Sequence, residues 1–468
     1  MASTLSNKEE EARAQNEGAV DAVTFDPETG PQHNSDVEVT DEQLWDGWMW
    51  RVFCISVVGW WVNCQPSEPY LTKYMEEVKG LTDDEINLRV WPTNTACMLA
   101  FYIPAGLLAE RIGYWRVILL GLCFREATRM LLIWGQGINN MIAMQVTYSG
   151  AMACTTALYT SVLLVVPKAR AAHASACVYF MYHFGNVIGS AVGEGVYTAT
   201  ENLTLLFYIS WACTSVGTIW FFVMFPKLPP KKPISFRSFF QNFSGRSCLD
   251  KVENGTSQLV SFSDPVKIWA VAAVFSFGAT VIWGNYYQMA FYVIDEAAKF
   301  GVLEMCLEAC NALGSVTPLL IAWHSGEHLL YKYAAPLSIL FTVLMGGMEV
   351  ATVETHIIQP LYAYAVVRSL AASGLEVSLQ TAVGLDPNTS HYALIITVVQ
   401  MLSLSICTAL QLGVGVALDF GSDEFLISGA VLNGLAIFGV VVTYTVLYFM
   451  HRNKQQDLDG FDRRTESL

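Results

Sequence analysis

The chain has 468 residues, of which 53% are hydrophobic and only 14% charged, against roughly 25% charged in an average soluble protein. A soluble body of this length lacks the charge to cover its surface, so most of that surface is expected to face lipid. The net charge of −15 argues against nucleic acid, because phosphate binding calls for clustered Lys and Arg. The eleven cysteines include no CxxC pair or zinc-type cluster, so no metal, no cofactor and no disulfide scaffold is expected.

In chain order, residues 1–46 come first, with twelve acids against two bases and almost no apolar periodicity. They read as a disordered acidic cytoplasmic tail. The start, MASTLSNKEEE, lacks the basic and apolar regions of a signal peptide. From Trp45 onward, apolar stretches long enough to cross a ~30 Å hydrocarbon core recur between short polar breaks. The expected spans are 47–72, 87–109, 115–135, 138–166, 170–197, 203–225, 264–294, 298–323, 332–349, 354–383, 390–418 and 425–450. Lipid cannot satisfy backbone N–H and C=O groups, so these are helices. The longest break, 226–263, begins PKLPPKKP and divides twelve spans into halves at 47–225 and 264–450, with a tail at 451–468. With the N-terminus inside, seventeen Lys and Arg fall on inner segments and four on outer loops, which places both termini and the central loop in the cytoplasm.

Ionisable groups within such spans are functional candidates by default. Glu68 lies in QPSEPY near the outer end of the first span, where Pro66 and Pro69 are expected to break the helix. The third span carries Arg125 and Arg129 on one face, with Glu126 placed to neutralise one of them. They read either as a ligand site or as an internally paired cluster. In the fourth span Gln145, Tyr148, Met152, Thr155 and Tyr159 form a polar-aromatic stripe at steps of three and four, facing a cavity or a packed helix. WGNYYQ (283–288) in the seventh span suits a flat heteroaromatic ligand. Arg368 in the tenth span needs a counter-charge, either Glu376 or an anionic substrate. Glu304 and Glu308 in the eighth, with Glu376, are candidates for coupling a proton or ion, or they line a water-filled entrance.

Two six-span halves joined by a basic loop resemble the layout of the major facilitator superfamily. GLLAERIGYWR (106–116) resembles that superfamily's loop signature between spans two and three, with Glu110 in place of Asp. Gly106 permits close helix approach, Gly113 a tight turn, and Glu110, Arg111 and Arg116 can exchange charge partners as the halves rock, which reads as a gate. An ordinary charged turn is the plainer alternative.

Within that superfamily the chain resembles the reduced-folate and thiamine carriers. QPSEPYLTKY, TDDEINLRVWP, GYWRVILLGLCF, LLIWGQGINNMIAMQVTYSGAMA and VVPKARAAHASA carry the resemblance over about residues 60–225, and NYYQMAFYV and VVRSLAASG anchor the second half. The resemblance implies a transporter of the major facilitator fold. It puts Glu68 on a substrate-contacting Glu, Tyr148 and Met152 on cavity positions, and Trp91 on a Trp beside the ligand in thiamine carriers. Tyr286 and Tyr287 fall on a cavity-lining pair of folate carriers, and Arg368 on an Arg those carriers aim at a carboxylate. The chain departs from the family in having Gln145 for a usual Glu and Thr155 for the Arg of folate carriers or the Glu of thiamine carriers. Leu410 or Gln411 replaces a Lys of the eleventh span.

A vitamin carrier working by alternating access in the plasma membrane is the reading that follows. Its substrate is a folate or thiamine, with the arginines tilting it to folate, and a counter-transported anion or a proton is the open coupling partner. A proton-coupled carrier of pyridoxine, a nucleoside or an organic cation is the alternative, and a vitamin sensor that does not translocate is a third. An enzyme has least support, because no nucleophile motif, metal-ligand spacing or phosphate loop is present. GSAVGEG (189–195) reads as close helix packing rather than as a phosphate loop.

Overall fold

A computed structural model describes residues 46–82, 85–228, 263–294, 300–325, 332–355, 357–386, 392–415 and 421–465, together with positions 330 and 418. The acidic tail and most of the central loop lie outside the described residues. Twelve long helices carry the fold: α1 Trp48–Asn63, α2 Trp91–Ile112, α3 Tyr114–Trp134, α4 Gly137–Ser161, α5 Ala171–Thr200 and α6 Leu203–Met224, then α7 Asp264–Ile294, α8 Phe300–Ser325, α9 Ala334–Glu354, α10 Ile358–Leu385, α11 Tyr392–Thr408 and α12 Ser422–Thr465. Among the described residues there is no strand.

Six of these helices (α2, α6, α7, α9, α11 and α12) are individually long and apolar enough to cross a membrane, and α4 with α5 qualifies as a pair bent by 118°. The others are shorter or carry the intramembrane charges, which lowers their mean hydropathy. The chain is an integral membrane protein. In α12 the helix continues past the apolar stretch, which ends at Met450, as far as Thr465.

Helix pairing repeats with a shift of six. In the first half α1 packs on α5 and α6, α2 on α4, and α3 on α4 and α6; in the second, α7 packs on α11 and α12, α8 on α10, and α9 on α10 and α12. The principal contacts between halves, α2 with α11 and α5 with α8, exchange under the same shift. Two structural repeats facing each other about a central axis explain this pattern.

The first span is broken, as QPSEPY predicts. α1 stops at Asn63, and Glu68–Tyr70 forms a 3₁₀ turn leading into a short helix, Leu71–Glu77. Lipid gives helices no hydrophobic reason to associate, so small residues that allow backbone contact decide the packing. On α5, a Cβ at Gly189 would lie 2.5 Å from the Gln65 backbone nitrogen, and one at Gly193 would lie 2.3 Å from the Pro66 carbonyl oxygen. The break in the first span is thus seated directly on α5.

Across the loop, Lys79 Nζ donates to the carbonyls of Ile133 at 3.2 Å and Gly135 at 2.7 Å, at the C-terminus of α3. Burial pulls this ammonium below its usual pKa, but the unpaired carbonyls of a helix end favour its charge. Lys79→Met is expected to lower the melting temperature, at a cost of about 1 kcal/mol, while uptake per folded molecule stays near wild type. Thermal unfolding alongside flux measures both.

Candidate functional site

The stripe on α4 turns inward. Gln145, Tyr148, Met152, Thr155 and Tyr159 all line a central cavity of about 410 Å³ between the two halves, a volume within the range of small-molecule sites. Opposite them stand Trp283 and Tyr287 of α7, Glu304 and Glu308 of α8, and Arg368 and Glu376 of α10. Trp91, Asn94, Met98 and Tyr102 of α2 and Tyr179, Tyr182 and His183 of α5 complete most of the wall. Aromatic rings and a few charged groups therefore dominate the lining.

At one end Glu68 and Arg129 form an ion pair, Oε2 to Nη2 at 3.9 Å. Arg129 is buried and also donates to Ser67 Oγ at 3.3 Å and to Gln65 Oε1. The guanidinium therefore holds the broken turn of 65–68 while one face remains in the cavity. Glu68 keeps 36% of its side chain exposed, enough to meet a ligand. Gln145 beside it is buried, and its Oε1 has no hydrogen-bond partner among the described residues. A buried acceptor without a donor is costly, and a ligand N–H in the cavity would satisfy it.

The third-span cluster is not paired internally. Glu126 points to α6, where it accepts from Trp211 Nε1 at 2.8 Å, Ser215 Oγ at 3.2 Å and Thr218 Oγ1 at 3.1 Å. Glu126 leaves the helix about 100° from Arg125, and its hydrogen-bonding partners all come from α6 rather than from Arg129 three residues on. Arg125 lies behind the wall: its Nη1 donates to the Val62 carbonyl at 3.4 Å, and its Nη2 to Thr155 Oγ1 at 3.4 Å and Met152 Sδ at 3.6 Å. It touches two lining residues without lining the cavity itself.

Three further expectations are corrected. Tyr286 does not line the cavity; it stacks on Phe425 of α12 with ring centroids 4.2 Å apart. Of the adjacent pair only Tyr287 faces inward; consecutive helical residues point about 100° apart, which here carries Tyr286 round to α12. Arg368 lines the cavity but does not meet Glu376: its Nε donates to Glu349 Oε1 of α9 at 2.8 Å, and both side chains are buried. Glu376 instead accepts from Tyr179 OH at 3.3 Å. Gln411 is buried away from the cavity in the π-helical turn Ala409–Gly415 that ends the eleventh span.

Several contributors escaped the sequence reading. His183 Nδ1 lies 2.6 Å from Glu308 Oε2, joining α5 to α8 across the halves. A histidine inside an apolar span was signal enough to flag it. Glu349 falls at the end of the expected ninth span, 332–349, yet lies buried against Arg368 in the structure. Glu304 accepts from Tyr287 OH, so all three coupling candidates have identified partners.

Where α2 meets α11, Gly106 lies against Thr397, and a Cβ there would fall 2.2 Å from Thr397 Oγ1. Gly113 has φ +96, a backbone that L side chains rarely adopt, and it reverses the chain between α2 and α3. Glu110 is buried and accepts from Tyr114 OH, whose oxygen in turn accepts from the Ala393 amide at the start of α11 at 3.2 Å. Arg111 and Arg116 are exposed, and Arg116 Nη1 donates to the Ile112 carbonyl at 3.2 Å. Deeper in, Thr156 Oγ1 donates to Gln400 Oε1 at 3.0 Å. The halves thus meet below the cavity through hydrogen bonds and through close glycine contacts, Gly106 on Thr397 and Gly384 on Leu163 and Ala171.

Two six-helix repeats around a polar central cavity define the major facilitator fold. The human organic anion transporter MFSD10 (TETRAN) has the same fold, with a TM-score of 0.58 and 11% identity over 83% of this chain and 99% of that one. The sequence pattern of the reduced folate carrier family matches residues 46–258. Thiamine transporter 1 of Mus musculus is 27% identical over 212 residues, 44% of this chain and 41% of its own length. Thiamine transporter 2 of Macaca fascicularis is 25% identical over 188 residues (40% and 38%). Folate transporter 1 of Caenorhabditis elegans is 24% identical over 174 residues (37% and 38%). Over its N-terminal half the chain is therefore similar to the reduced-folate and thiamine carriers. It spans about two fifths of the length of the curated relatives it matches.

Proposed function

We propose that the protein is a vitamin carrier working by alternating access, and that its cavity takes a cationic heteroaromatic vitamin of the thiamine class. One observation carries the choice. Four carboxylates (Glu68, Glu304, Glu308 and Glu376) line the cavity against two guanidinium groups, Arg129 and Arg368, and each guanidinium already has a carboxylate partner. Two of the three arginines that tilt the sequence reading to folate are therefore neutralised, Arg125 stands behind the wall, and the surplus of lining carboxylates favours a cation. Rings such as Trp91, Tyr148, Trp283 and Tyr287 add cation–π and stacking surface. Glu68 and Trp91 are the proposed first contacts, with Gln145, Tyr148, Met152 and Thr155 along the floor.

The Gly106–Arg116 segment is the proposed gate, closing against α11 on the cytoplasmic face of the plasma membrane, with both termini on that face. Glu304, Glu308 and Glu376 are the proposed coupling residues. The His183–Glu308 contact across the halves favours a proton as the coupled ion, and it keeps the second reading, another organic cation moved with protons, in view.

Competitive uptake in transport-deficient cells tests the choice. Labelled thiamine should enter saturably, excess folic acid should not compete, and Trp91→Ala should lower uptake about tenfold, as expected for loss of an aromatic contact to a desolvated cation. Folic acid uptake with no thiamine competition would overturn the thiamine reading. Flux of neither vitamin would overturn the carrier reading.

A further inference from the structure

Arg368 is paired with a buried carboxylate before any ligand arrives. Beyond the bond from its Nε to Glu349, its Nη2 donates to the Ala279 carbonyl at 3.2 Å. The second oxygen of Glu349 accepts from Asn433 Nδ2 at 3.0 Å, and Asn433 Oδ1 accepts from Ser276 Oγ at 3.0 Å. These contacts come from α7, α9, α10 and α12, all in the second half, so the network travels with that half as a unit. Yet Arg368 also lines the cavity, with its guanidinium carbon 4.6 Å from the Trp283 ring centre.

A guanidinium fork on the wall of a ligand cavity is the group best shaped to take a carboxylate. Here a carboxylate of the protein already occupies it. An incoming anion would have to evict Glu349 or share one guanidinium with it, and either way a buried negative charge is left poorly compensated in a medium of low dielectric. A cation or neutral ligand faces no such exchange. Resting on the carrier reading above, we propose that Arg368 is a carboxylate-binding subsite and that Glu349 is a tethered ligand filling it. The cavity thereby excludes anionic substrates by prior occupancy rather than by shape.

Chemical rescue tests this on the purified full-length protein. Glu349→Ala vacates the seat beside Arg368, so sodium formate should raise the melting temperature of this variant above that in sodium chloride of equal ionic strength. Neither wild type nor Glu349→Ala/Arg368→Met should respond. Glu349→Gln, the milder change, should bind folic acid about tenfold more tightly than wild type, the gain of one charge-assisted bond, with thiamine affinity little changed. A formate response equal in the double variant, or none in a folded Glu349→Ala, overturns the proposal. Glu349→Met/Arg368→Met should fold, as read by a cooperative melting transition; its failure to fold would make the pair a scaffold and overturn the subsite as well. A wild type that binds neither vitamin ends the carrier reading but leaves the formate result standing.

Discussion

Glu68→Gln is expected to lower uptake of a cationic vitamin by roughly ten- to a hundredfold, the value of one charge-assisted hydrogen bond. Two effects add. The variant removes the carboxylate proposed to meet the ligand, and it leaves the Arg129 guanidinium, 3.9 Å away in the wild type, without its carboxylate partner. Arg129 is buried among Gln65, Ser67 and Glu68, so its charge is poorly screened and repels a cation in the cavity. Glu68→Asp keeps the charge and should retain much of the uptake. Arg129→Gln placed on the Glu68→Gln background should recover part of the loss, because it returns the cavity to its original net charge. A double-mutant cycle on initial uptake rates measures the coupling. Full activity in Glu68→Gln would remove this residue from the site.

Gly106→Val is expected to abolish most transport while leaving the folded protein intact. The added Cβ would fall 2.2 Å from Thr397 Oγ1, so α2 and α11 could not close on each other without displacement. Overpacking of this kind costs about 1–3 kcal/mol, which shifts a two-state equilibrium by roughly five- to a hundredfold. The strain exists only in the conformation where these helices touch, so the variant should favour states with that face apart. A cysteine placed at Gln400 should then react faster with a thiol reagent applied from that face. Thr397→Ala in the same chain removes the clashing hydroxyl and should restore part of the flux. Unimpaired uptake in Gly106→Val alone would show that this contact does not gate transport.

The sequence disclosed the helices and several of the faces that matter. QPSEPY predicted the break in the first span because two prolines three residues apart remove backbone donors on both sides of Glu68, whereas the single Pro104 and Pro318 are carried inside α2 and α8. The α4 stripe from Gln145 to Tyr159 was visible because its spacing matches the helical period and its polarity is misplaced in lipid. Adjacent residues were harder to separate: Tyr286 and Tyr287 look alike in the chain, yet one stacks on Phe425 and the other faces the cavity. Glu126 shows the same limit. Its neighbours in sequence are arginines, but its neighbours in space are Trp211, Ser215 and Thr218 of α6.

The low charge that sets this chain apart at first reading determined its class, because a bilayer demands long apolar helices and tolerates few ionised groups. Length and periodicity act within one helix, so they could be read from one dimension. What each rare charge does was decided only by packing. Arg368 is matched by Glu349 from another helix, Arg129 by Glu68 across a break, and His183 by Glu308 across the two halves. Those pairings engage both guanidinium groups of a cavity that four carboxylates also line, which is the observation behind the thiamine proposal. They depend on which helices lie side by side, and local pattern carries no record of that.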